Sequence, residues 1–364
     1  EIVVAHGAGR VALGALHDDK PFTISGVLAP TGTPVDRTVH VCQFGLHPEL
    51  LPLMTEWQNG NLAFVHASGS PDPSRSHFQA QDYLENGTPG ETSTSTGWLN
   101  RLLSFLPDST STTALNVSSG GTLPLILSGP EPVANLRLSG GGSPSLAIDR
   151  PKLQTAFDQL YAGDDQVARV YQSGRQARDV IMREFNNEDE AASRGAPTPT
   201  RFARSTRRLA QLMRSDANTQ VAFMELGGWD SHVGQGGLLQ RYLPLVGTGL
   251  AMLAQELGPI YQDTVVVVMS EFGRTVLENG NRGTDHGHGN VMWLMGGGLR
   301  GKQVYGQWPG LGLDVRHESR DLAVTTDYRD VLESVLRPHF GLGDSAIAQI
   351  FPNHQAQKSL DLLS

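Results

Sequence analysis

Six short runs along the chain are apolar almost without interruption: NLAFVHAS (61–68), TALNVSS (113–119), LPLILSG (123–129), VAFMELGG (221–228), TVVVVMSE (264–271) and VMWLMGGG (291–298). Alternating apolar and polar residues would mark strands with one wet face. Continuous runs predict strands covered on both faces, as in a parallel sheet. Helical spacing fills the intervals. HPELLPLMTEWQNG (47–60) precedes the first of these strands. Residues 151–185 read as one or two amphipathic helices, and RFARSTRRLAQLMRS (201–215) sets apolar residues at helical spacing against arginines. YLPLVGTGLAMLAQELG (242–258) reads as a helix ending at Gly258, and DYRDVLESVLRPHFG (327–341) as a further amphipathic helix. Strands alternating with helices predict an α/β class with a mainly parallel central sheet.

Length and composition narrow this picture. A chain of 364 residues suits one large α/β domain or two ordinary ones. The polar segment NNEDEAASRGAPTPT (186–200) reads as an exposed loop between helices rather than a boundary, so a single domain over 1–364 is expected. RLSGGGSPS (137–145) reads as a second flexible loop, and no internal repeat is found. The 42 glycines and 21 prolines imply many turns. No apolar run approaches the roughly 18 residues of a membrane span. A net charge of −9 with no basic block argues against a nucleic-acid partner. Cys42 is the only cysteine, which excludes an internal disulfide and a cysteine-based zinc site, so any metal must be held by His and carboxylates. The chain begins at Glu1 with no signal-peptide pattern, which fits a mature, trimmed or partial chain alike.

The N-terminal run EIVVAHGAGRVALGAL carries Gly7-x-Gly9-x-x-Ala12, a loose dinucleotide-binding fingerprint. That mechanism also needs an acid about 20 residues on to hold the ribose. The corresponding stretch, GVLAPTGTP, has none. A strand-to-turn glycine cluster is the expected reading.

Three motifs fall at strand ends, where α/β sheets usually place their chemistry. MELGGWDSH supplies Asp230 and His232, VVVVMSEFGRT supplies Glu271 and Arg274, and GTDHGHGN supplies Asp285, His286 and His288. Any one of these is ordinarily a turn former or a surface group. Together they form a His, Asp and Glu set of the kind that binds zinc and similar ions when Cys is absent. Flanking glycines let such loops approach closely. A bound dication would stabilise charge on a transferring phosphoryl or sulfuryl group, and Arg274 can clamp anionic oxygens. A fourth motif, SPDPSRSHFQAQDYLENG, places Arg75, Ser76 and His77 at the start of a predicted helix. Ser76 suits the N-cap, and a serine there can also act as a nucleophile if a metal lowers its pKa.

These motifs, with FGLHPELLPL, GTDHGHGNVMWLMGGGLRGKQVYG and TTDYRDVLESVL, resemble the bacterial proteins grouped as domain-of-unknown-function family 1501. The resemblance runs in order from about residue 40 to 340. It implies an alkaline phosphatase-like three-layer sandwich of the alkaline phosphatase–sulfatase superfamily, whose members use a Ser, Thr or formylglycine nucleophile beside one or two metals. The implied function is metal-dependent hydrolysis of a phosphate or sulfate ester. The resemblance implies Asp230, His232 and one of His286 or His288 as metal ligands; beside them Glu271 is expected as a ligand or base, and Asp285 as a further ligand. From the residues themselves, Ser76 is the expected nucleophile beside His77, and Arg75 and Arg274 are the expected anion clamps. The expected cofactor is a divalent metal, zinc first, with calcium, magnesium or manganese permitted by the mixed ligands. The expected partner is a small anionic ester or a sulfated or phosphorylated glycan. Many family members are exported through twin-arginine signals, which implies a periplasmic or secreted protein.

Two departures matter. The superfamily's strand-end Asp-His pair corresponds to Glu271-Phe272, and Phe272 cannot ligate, which weakens a second metal site. The usual first-strand Asp has no match in VVAHGAGRV, so that strand is expected to be missing or divergent. These departures support the rival reading, an exported, non-catalytic binding protein that retains the fold with an incomplete site.

Overall fold

The computed structural model describes residues 2–6, 44–106, 113–118, 123–137, 151–172, 175, 201–215, 219–227 and 229–363. The Gly7–Ala12 cluster, Cys42, the loop at 186–200 and most of that at 137–145 lie outside the described residues.

Nine described strands form one sheet: β1 (Ile2–His6), β2 (Leu62–Gly69), β3 (Thr113–Ser118), β4 (Val133–Arg137), β5 (Thr219–Met224), β6 (Val265–Met269), β7 (Asn290–Met295), β8 (Gln303–Tyr305) and β9 (Thr326–Asp327). The order is β4-β3-β5-β1-β6-β7-β2-β8, with β9 also pairing with β2. Only β7 runs against its neighbours; the other pairings are parallel. Described helices are α1 (Met54–Gln58), α2 (His77–Asn86), α3 (Trp98–Leu103), α4 (Pro151–Leu160), α5 (Arg201–Ser215), α6 (Gln235–Leu257), α7 (Tyr328–Phe340) and α8 (Asp344–Ile350).

Both faces of the sheet are covered, as continuous apolar strands require. Ala63, Val65, Phe223, Val267 and Leu294 pack with Leu84, Trp98, Leu102, Val335 and Ile350 of α2, α3, α7 and α8. Their strand neighbours Leu62, Ala222, Val266 and Trp293 point the other way, into Phe202, Leu209, Leu243 and Leu250 of α5 and α6. The result is an α/β fold of three layers around a mixed, mainly parallel sheet. α6 approaches α5 so closely that a Cβ on Gly249 would run into the Phe202 ring.

Five of the six predicted strands form. The exception is LPLILSG, which makes a single 3-10 turn at Leu125–Leu127. Ile126 and Leu127 are fully buried there, and the Glu85 carboxylate accepts the Ile126 amide at 2.8 Å. An apolar run alone does not separate a buried strand from a buried turn. The helix expected at 242–258 starts earlier, at Gln235, but ends at Gly258 as read. The 47–60 segment is a 3-10 turn at Pro48–Leu53 running into α1. The 151–185 pattern gives α4 and further helix at 166–172, and residues 176–185 lie outside the described residues. A strand does form at the start of the chain: β1 lies between β5 and β6, with His6 opposite Met269.

Candidate metal centre

Strand direction gathers the site. β2, β5 and β6 run the same way, so their carboxyl ends share one edge of the sheet. From that edge leave the segments leading to Ser76 and His77, to Trp229–His232, and to Glu271–Arg274. β7 runs in opposition, so the segment that enters it, residues 284–289, arrives at the same edge. Buried Trp229 packs edge-on against Tyr242 of α6 at 5.3 Å and anchors the β5 loop. The β6 and β7 segments pair directly: Gly273 N donates to His288 O, Gly287 N to Gly273 O, both at 2.9 Å, and Thr275 N to Asp285 O at 3.0 Å. A Cβ on Gly287 would collide with the Arg274 carbonyl, so this close pairing depends on glycine.

Three imidazoles meet one carboxylate. His77 Nδ1 lies 2.9 Å from Glu271 Oε1, His232 Nδ1 2.8 Å from Asp285 Oδ1, and His286 Nδ1 2.7 Å from the Arg75 carbonyl oxygen. Each of these oxygens accepts, so each Nδ1 carries a hydrogen, and in the neutral ring Nε2 then offers its lone pair. The Nε2 atoms point at Asp230. His77 Nε2 is 3.3 Å from Asp230 Oδ2; His232 and His286 Nε2 are 3.0 and 3.3 Å from Oδ1. The two Nε2 atoms of His232 and His286 are 3.0 Å apart. Donor atoms of His77, Asp230 and His286 all lie within 4.8 Å of one another. Lone pairs and a carboxylate at such separations repel unless a cation or a shared proton lies among them. Ligand atoms around tetrahedral zinc stand about 3.3 Å apart, given zinc–ligand bonds near 2.0–2.1 Å. The donor set and its spacing therefore fit a divalent metal.

The other candidates occupy distinct places. Glu271 is buried; its carboxylate also accepts the Ser270 hydroxyl at 2.7 Å, so it reaches the cluster through His77. Asp285 likewise reaches it through His232. The Asp285 carboxyl is held below the usual range, first by its His232 hydrogen bond and then by Asn279. Arg274 is buried, with Nη1 on Asp230 Oδ1 at 3.0 Å and Nε on Thr284 Oγ1 at 3.0 Å, so it orients the central carboxylate. The Arg75 guanidinium binds Asp321 at 2.6 Å and Glu318 at 2.7 Å, while its carbonyl holds His286. His288 does not join the cluster. It is buried beside His317, ring centroids 4.3 Å apart, and burial, then the neighbouring His317 and Arg75, push its pKa down to about 4. Phe272 is a wall, its ring 5.1 Å from His77 and 4.7 Å from His286. Ser76 is the exposed N-cap of α2, and its side chain makes no capping hydrogen bond. Asn279 and Thr284 escaped the sequence reading because Asn-Gly and Gly-Thr pairs signal only turns, and Asp321 because its partner, Arg75, is distant in the chain.

The family described as "Protein of unknown function (DUF1501)" matches residues 30–351. No curated protein matches the chain. Among solved structures, the C-terminal periplasmic domain of EcEptC from Escherichia coli, in complex with Zn, is 10% identical; the alignment covers 100% of this chain and 91% of that one, with a TM-score of 0.41. Ps i-CgsB in complex with k-i-k-neocarrahexaose is 11% identical over 81% of this chain and 68% of that one, with a TM-score of 0.38. At these scores neither neighbour bears on what this chain binds.

Proposed function

The chain belongs to the DUF1501 family, and from that premise we propose that it is a metal-dependent hydrolase of a phosphate or sulfate ester, built on an alkaline phosphatase-like sandwich and working in the periplasm or outside the cell. The observation that carries this reading is the convergence of three anchored imidazole Nε2 atoms on the Asp230 carboxylate. His77, His232, His286 and Asp230 would hold the ion, zinc before calcium, magnesium or manganese because of its imidazole-rich set. When bound, the ion supplies a Lewis acid for the oxygens of the transferring group. The protein's own part is orientation. Glu271, Asp285 and the Arg75 carbonyl fix the three ring tautomers, and Arg274 fixes Asp230. Ser76 is the proposed nucleophile: it directly precedes His77, is exposed, and its hydroxyl is not engaged in capping α2. Its oxygen bonds to phosphorus or sulfur as the ester oxygen leaves with the serine proton; water then releases the acid and restores the hydroxyl. The fitting substrate is a small anionic ester or a sulfated or phosphorylated glycan.

One observation favours a second reading, a binding protein without turnover. Phe272 closes one side of the cluster with an apolar ring, and both site arginines are held by protein groups. Metal analysis of the purified protein and a screen of aryl phosphates and sulfates decide between them. The hydrolase reading expects bound divalent metal and turnover lost in Ser76→Ala. Protein free of metal, whose stability ignores chelators, would sink it.

A further inference from the structure

We propose that Asn279 is a positioning residue of the metal centre, fixing His232 by holding both its main chain and the carboxylate that orients its ring. The inference rests on the metal-binding reading above. The two Nδ2 hydrogens of Asn279 go to the His232 carbonyl at 3.0 Å and to Asp285 Oδ1 at 3.1 Å. That same Asp285 oxygen receives His232 Nδ1–H at 2.8 Å. Asn279 thus grips His232 from two sides, one through the backbone and one through its hydrogen-bond partner.

The acceptor half of the amide does something else. Asn279 Oδ1 takes the amides of Asn281 at 2.9 Å and Gly283 at 3.1 Å, and the Asn279 amide closes the turn onto Gly283 O at 2.8 Å. The turn lies across the β5 loop: Gly234 N donates to Asn281 O at 3.0 Å, Gln235 N to Arg282 O at 2.8 Å, and Thr284 N to Ser231 O at 3.0 Å. A Cβ on Gly283 would collide with the His232 carbonyl, so glycine lets the turn press onto that residue. All four hydrogen-bonding positions of the Asn279 amide are used. The Asp285 side chain is 51% exposed, and a carboxylate so open to water rotates unless something pins it. Asn279 pins it, which keeps the hydrogen of His232 on Nδ1 and the lone pair of Nε2 on the metal side.

The two halves can be separated. Asn279→Asp keeps the acceptor that builds the turn, loses both donors, and sets a second carboxylate against Asp285. Asn279→Ser retains a weaker turn-forming acceptor and is the reserve if the Asp variant does not fold. Zinc affinity is measured by chelator competition, and the His232 tautomer by nitrogen-15 NMR of metal-free protein at alkaline pH. Expected are a folded variant, zinc binding weakened about 10–100-fold, and a His232 ring that loses its single Nδ1–H tautomer. A variant that binds zinc like the parent and keeps that tautomer overturns the inference and leaves Asn279 as a turn former. If the parent itself binds no zinc, the metal reading fails; the NMR comparison still decides the role of Asn279.

Discussion

His286 and His288 are separated by one glycine and differ in everything else. His286 donates through Nδ1 to the Arg75 carbonyl and presents Nε2 to Asp230, while His288 is buried against His317. His286→Ala is therefore expected to abolish metal binding, and His288→Ala to retain it at some loss of stability, as metal analysis of both variants would show. His66 makes a second test. Burial lowers its pKa, with the Gly306 backbone opposing, and its ring packs against Phe44 at 4.9 Å and Trp308 at 5.3 Å. As pH falls through the ordinary imidazole range, near 6.5, the unfolded chain takes up this proton before the folded one does. Stability present above that range is lost on acidification. Denaturant titrations from neutral to mildly acidic pH should show this loss in the parent and a smaller one in His66→Phe. The residue types of the centre were legible in the sequence; the choice between two neighbouring histidines was not, because it depends on which way each ring faces after β6 and β7 pair.

Among the elements, some helix ends were readable, although the start of α6 at Gln235 was not. Asp327 caps α7 by accepting the Arg329 amide at 2.9 Å, and Gly341 ends it in the left-handed conformation. Such signals are local, so the sequence displays them. Arg101 is a long-range counterpart that no pattern reveals. Its guanidinium donates to the Asn86 carbonyl at the end of α2 and to the Gln349 and Ile350 carbonyls at the end of α8. The favourable dipole ends compensate in part for a burial that lowers its pKa to about 10. Arg101→Met leaves these carbonyls without a donor and should cost about 1–3 kcal/mol in a denaturant titration, with metal content unchanged. The failed strand at 123–129 has the same origin: Glu85, distant in sequence, supplies the hydrogen bond that makes a turn preferable there.

For the whole molecule, the proposed ligands come from two strand ends, His77 after β2 and Asp230 and His232 after β5, and from the returning segment that carries His286, so a bound ion would clamp otherwise separate loops. Metal at about 100 times its dissociation constant should stabilise the fold by roughly 2.7 kcal/mol, and chelation should lower the melting temperature accordingly. An unchanged melting curve after chelation would show that nothing clamps these loops. No helix among the described residues is long and apolar enough to cross a membrane, in line with the hydropathy of the sequence. By itself the sequence determined the α/β class, the parallel character of the sheet and the residue types of the centre. Those depend on apolar periodicity and side-chain chemistry, which the chain carries locally. Only the tertiary structure decided that β7 runs backwards, that this brings His286 beside His77 and His232, and that Glu271 and Asp285 stand behind the imidazoles. Strand direction and ring orientation are set by contacts between residues far apart in the chain.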